Sequence, residues 1–92
     1  MTKRSIYLDH GATTPVHPQV LESMLPYWTE HYGNPSSSHS FGRKAESALR
    51  SARETISDLL GAAPGEIVFT ANGSASDNLA IRGVVKSKLA QD

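Results

Sequence analysis

The sequence predicts an α/β segment that is mostly helical with short strands, and three observations carry that class. Apolar residues recur at three- and four-residue steps from Phe41 to Leu60 and again from Leu79 to Leu89, the spacing of one helix face. Between these stretches, Glu66-Ile67-Val68-Phe69-Thr70 is rich in β-branched and aromatic residues and too short for a helix, so it reads as a buried strand. Glycine and proline stand at the boundaries that these patterns require.

Taken in order, Ser5-Ile6-Tyr7-Leu8-Asp9 alternates as a short strand that Gly11 breaks, and Ala12-Thr13-Thr14-Pro15 follows in extended form. Pro18 suits the first position of a helix with His17 as its cap, and Val20, Leu21, Met24, Leu25 and Trp28 give that helix an apolar face. Pro26 lies inside the pattern, removes a backbone donor and crowds the preceding turn, so a kink or break is expected near Leu25. Gly33-Asn34-Pro35-Ser36-Ser37-Ser38 is turn chemistry throughout. The long helix from about Phe41 carries Ala45, Ala48, Leu49, Ala52, Ile56, Leu59 and Leu60 on its stripe, with Gly61 placed to end it in a left-handed cap. Pro64-Gly65 turns into the strand, Asn72-Gly73-Ser74 turns out of it, and a last amphipathic helix closes the chain.

Composition narrows what such a segment can do. Ninety-two residues hold one small domain at most, and 38% hydrophobic residues give it a light core. Nine basic and nine acidic residues balance to zero, so no broad positive field recruits nucleic acid or an anionic membrane. The chain has no cysteine, hence no disulfide, thiolate metal site or cysteine nucleophile of its own. Residues 1–6 are polar and basic with no apolar run behind them, and nowhere do eighteen apolar residues follow one another, so a soluble, cytoplasmic protein is expected.

The strand, the small-residue turn 71–74 and the helix behind it would present free N–H groups and a positive helix end to an anion, with a phosphate as the natural guest. Gly73 would admit close approach and Ser74 would add a hydroxyl. The same residues also allow an ordinary cap, with Ser74 paired to Asp77 three positions on. The four histidines, His10, His17, His31 and His39, lack metal-ligand spacing, so no metal is expected. Glu22, Glu30, Glu46, Glu54 and Asp58 fall mainly on solvated helix faces rather than in a catalytic pair.

Three motifs in order point to a family. Tyr7-Leu8-Asp9-His10-Gly11-Ala12-Thr13-Thr14-Pro15 resembles the opening motif of cysteine desulfurases, pyridoxal-phosphate enzymes of the class V aminotransferase group. Gly33-Asn34-Pro35-Ser36-Ser37 with His39 and Gly42-Arg43 resembles their second motif, and Glu66 to Thr70 leading into Ser76-Asp77-Asn78-Leu79-Ala80-Ile81 resembles their third. The resemblance spans Ile6 to Val84.

It implies that residues 1–92 form a single incomplete domain: the N-terminal arm and the start of the cofactor-binding domain of a fold type I, aspartate aminotransferase-like transferase. It implies pyridoxal 5'-phosphate as cofactor, held at its phosphate by Gly73 and Ser74, and a substrate pocket near Ala12, Thr13, Thr14, Asn34 and His39. No catalytic residue falls in this chain, because the family's Schiff-base lysine and sulfur-accepting cysteine lie further along. The parent would take sulfur from L-cysteine, leaving alanine and an enzyme persulfide for iron-sulfur cluster or thio-cofactor synthesis. It would work as a homodimer with a sulfur-acceptor protein as partner, and without nucleic acid or membrane. The family's turn reads Thr-Ser-Gly-Ala-Thr-Glu, whereas this one is Thr70-Ala71-Asn72-Gly73-Ser74-Ala75. A selenocysteine lyase or other class V relative, and a noncatalytic truncated interaction module, are the alternative readings.

Overall fold

A computed structural model describes residues 2–91 and contains four α-helices among them: α1 (Pro18–Met24), α2 (Pro26–Thr29), α3 (Ser40–Leu60) and α4 (Gly73–Ala90). A single 3-10 turn, Pro64–Glu66, precedes the apolar run. Contacts divide the chain into two compact units, one up to Ala48 and one from Leu49 onward.

In the first unit, the sequence rules act locally. His17 caps α1, its Nδ1 accepting from the N–H of Gln19 at 3.1 Å, with Pro18 in the first helical position. Pro26 has no N–H to continue the helix, and α1 ends at Met24 before α2 resumes at Pro26, as expected. The ring of Tyr27 then meets His31 edge-on at 5.5 Å.

In the second unit, α3 ends in a full Schellman arrangement. Gly61 takes φ 66°, its N–H bonds to Asp58 O, and the Ala62 N–H reaches back to Ser57 O at 2.9 Å. Ser57 is fully buried, and its hydroxyl is satisfied by Glu54 O at 2.8 Å. Glu66 folds back so that Oε2 accepts from the Ala63 N–H, and this fixes the turn before the apolar run.

The expected strands do not form among the described residues. Ile67 is extended, but Ile67 to Thr70 has no strand partner, the Ile67 N–H bonding to Pro64 O in the preceding turn, and Val68 and Phe69 are 64% and 42% exposed. Ser5 to Asp9 is likewise unpaired, with Leu8 89% exposed. The reason is that a strand's N–H and C=O groups are satisfied only by a neighbouring strand, and neither segment has one among the described residues. The mostly helical content stands as expected, and the short strands and their burial are corrected to extended, exposed segments. The last helix also begins earlier than its apolar stripe, taking Gly73 and Ser74 into its first turn.

Candidate functional site

The turn at the start of α4 is organised by Asn72. Its Oδ1 accepts from the Ala75 N–H at 2.8 Å, and its carbonyl accepts from the Ser76 N–H at 3.1 Å. Asn72 is therefore the helix cap, which corrects the Ser74–Asp77 capping reading: Ser74 lies two positions past the cap, inside the first turn. Asn and Ser cap about equally well, so residue type alone does not separate them. The outcome matters for chemistry. With the third and fourth N–H groups used, those of Gly73 and Ser74 have no acceptor among the described residues, and neither does the Ser74 hydroxyl. Nothing lies within 4 Å of where a Cβ on Gly73 would stand. Thr70 Oγ1 donates to Asn72 O at 3.0 Å and is paired with Ser76 Oγ, which ties the extended segment to the helix start. Two free N–H groups, a free hydroxyl and open space at a helix N-terminus form a donor set that fits a phosphate.

Ala12, Thr13 and Thr14 lie on one exposed strap. The N–H groups of Ala12 and Thr13 both point to Asp9 O, at 3.0 and 3.4 Å. An open groove there is lined by Tyr7, His10, Thr13, Thr14 and Pro15.

Asn34 and His39 come together in a second corner of the same unit. Asn34 Oδ1 accepts from the Ser36 N–H at 2.9 Å, and its carbonyl accepts from Ser37. His39 caps α3: Nδ1 accepts from the Gly42 N–H at 3.2 Å and its carbonyl from Arg43, while the Arg43 guanidinium donates to Ser38 O. Gly42 is buried, and a Cβ there would collide with Ser37 O and stand 2.6 Å from Asn34 O. The corner thus uses the side-chain acceptor and the carbonyl of each predicted pocket residue for its own bracing. It leaves the Asn34 amide nitrogen and His39 Nε2–H as the polar groups available to a ligand. No hydrogen bond or ring contact joins this corner to the Ala12–Thr14 strap among the described residues. The roles of Asn72 and of the Thr70–Ser76 pair were missed from sequence, although Asn directly before Gly73 is a helix-start signal.

A threonine-rich strap, a Gly-Asn-Pro corner and a small-residue turn opening a helix follow one another in this order, and the comparisons identify the class: residues 6–92 match the family model described as aminotransferase class-V, and the chain belongs to that family. Within it, the chain is similar to proteins named for one activity. It is 53% identical over 92 residues to a mitosomal cysteine desulfurase of Trachipleistophora hominis, covering 99% of this chain and 21% of that protein. It is 56% identical over 82 residues to the cysteine desulfurase IscS of Anaeromyxobacter sp. (strain K), covering 88% and 20% respectively. The corresponding enzyme of Methylobacillus flagellatus is 55% identical over 85 residues, covering 90% and 21%. The resemblance read from the motifs is borne out, and the chain spans about a fifth of the length of these curated relatives.

Proposed function

We propose that this chain is the N-terminal part of a cysteine desulfurase of fold type I, comprising the arm and the start of the cofactor-binding domain. The observation that carries the reading is identity of 53–56% to enzymes of that name across nearly the whole chain. Pyridoxal 5'-phosphate, when bound, supplies the electron sink for chemistry at the substrate's α-carbon. The residues here have narrower tasks. The N–H groups of Gly73 and Ser74 and the Ser74 hydroxyl hold the phosphate, while Asn72 keeps the helix end in register by capping Ala75. Ala12, Thr13 and Thr14 wall the pocket for L-cysteine, with the free faces of Asn34 and His39 shaping it. The parent is a homodimer that hands sulfur to an acceptor protein for iron-sulfur cluster or thio-cofactor synthesis, and its compartment is the cytoplasm. No helix among the described residues is long and apolar enough to cross a membrane.

The test is an exchange enzyme in which this chain replaces the matching segment of the Anaeromyxobacter relative. It is expected to load pyridoxal phosphate and release alanine from cysteine, whereas the 92-residue chain alone releases none above free cofactor. An exchange enzyme that folds and loads cofactor but releases no alanine overturns the reading. Ser74→Ala in the exchange enzyme is expected to weaken cofactor binding roughly tenfold, or about 1.5 kcal/mol, by removing one charge-assisted hydrogen bond. Equilibrium dialysis checks it, and unchanged affinity removes Ser74 from the site.

A further inference from the structure

Among the described residues, the Tyr7 side chain spans the strap by hydrogen bonds. Its hydroxyl lies 2.9 Å from Asp9 O and 3.0 Å from Thr13 O, and its ring meets His10 edge-on with centroids 4.9 Å apart. A phenol has one proton to donate. Asp9 O already receives the N–H groups of Ala12 and Thr13, so Thr13 O is the less engaged acceptor and the better destination for that proton. The hydroxyl therefore closes a loop from residue 7 to residue 13 that backbone bonds alone leave open at its far end. Tyr7 also lines the groove with Thr13 and Thr14.

We propose that Tyr7 is a positioning residue for the substrate: by holding Thr13 O, it fixes the direction in which Ala12, Thr13 and Thr14 face the groove. This rests on the desulfurase reading and on the strap being a pocket wall. A strap exposed on all of residues 9–15 has no packing to hold it, so its geometry depends on these few bonds. Loosening it lets the wall sample many orientations, and the substrate then binds only to the fraction in the correct one. The effect falls on substrate binding and leaves the phosphate turn, which lies elsewhere in the chain, untouched.

Tyr7→Phe keeps the ring against His10 and deletes only the hydroxyl, so it separates tethering from packing. In the exchange enzyme it is expected to raise KM for cysteine three- to tenfold, with kcat within twofold and cofactor affinity unchanged. Hydrogen exchange of the peptide covering residues 9–14 is expected to accelerate, while that of α4 stays the same. Unchanged exchange in the strap overturns the tether, and faster exchange with unchanged KM overturns its role toward substrate. A joint fall in kcat, cofactor affinity and overall stability assigns Tyr7 a merely structural part and also overturns the proposal. An unsubstituted exchange enzyme without activity sinks the desulfurase reading instead, and strap exchange still decides whether Tyr7 holds the loop.

Discussion

The corner from Gly33 to Arg43 and the extended run from Ile67 to Thr70 both belong to motifs of the same family, yet they reach very different states in this chain. In the corner, every bond that defines the shape comes from within ten residues: Asn34 to Ser36, Asn34 to Ser37, His39 to Gly42, and Arg43 to Ser38. In the run, the Ile67 N–H is met only by the turn before it, at Pro64 O, no neighbouring strand pairs with the backbone among the described residues, and Val68 and Phe69 are exposed. A motif whose hydrogen bonds are local is complete once its own residues are present. A strand is complete only when distant chain arrives, because its polar groups are satisfied between segments and not within one.

The largest expected effect tests that difference directly. In the 92-residue chain, the amides of Val68 and Phe69 should exchange at nearly unprotected rates, and in the exchange enzyme they should slow by roughly a thousandfold, equivalent to about 4 kcal/mol. Hydrogen exchange followed by mass spectrometry measures both, and equal rates in the two proteins would break the comparison. A second test sets two glycines side by side. Gly42→Ala drives a Cβ into the carbonyls of Asn34 and Ser37, where the backbone must shift, and should cost about 2 kcal/mol in denaturant unfolding of the exchange enzyme. Gly73→Ala enters open space in a helical first turn and should stay within about 0.5 kcal/mol of the parent. The cap should show an effect between those of the two glycines. His39→Ala should cost about 1 kcal/mol, and His39→Asn, which can still accept from the Gly42 N–H, should recover most of it. If the asparagine variant recovers stability but not KM for cysteine, capping and pocket-shaping are separate functions of that imidazole.

Legibility in the sequence follows the same division. The break at Pro26, the histidine cap before Pro18 and the left-handed stop at Gly61 were all readable, because each is a conflict or a match within a few residues. The Asn34 turn was readable for the same reason. The strand state of Ile67 to Thr70 was not, since composition reports what a segment would do beside a neighbour and is silent on whether the neighbour is there. At the site, Gly73 and Ser74 were placed correctly at a helix start, but which residue capped it was not legible, because Asn72 and Ser74 both have side chains suited to the task. Tyr7 drew attention only as part of a motif. Its bond to Thr13 O spans six positions, and no local spacing rule reports such a bond.

Arg53 has its guanidinium carbon 5.0 Å from the centroid of the Phe69 ring. That places a fixed positive charge on the most adhesive stretch of the chain. The run Ile67-Val68-Phe69 forms no strand among the described residues and so presents unpaired strand-edge groups to a second copy of the chain. A charge seated over its aromatic residue makes stacking of two such runs bring like charges together, which works against edge-to-edge association. A charged side chain beside an unpaired apolar run is one of the ways in which an exposed strand edge is kept from pairing with a copy of itself.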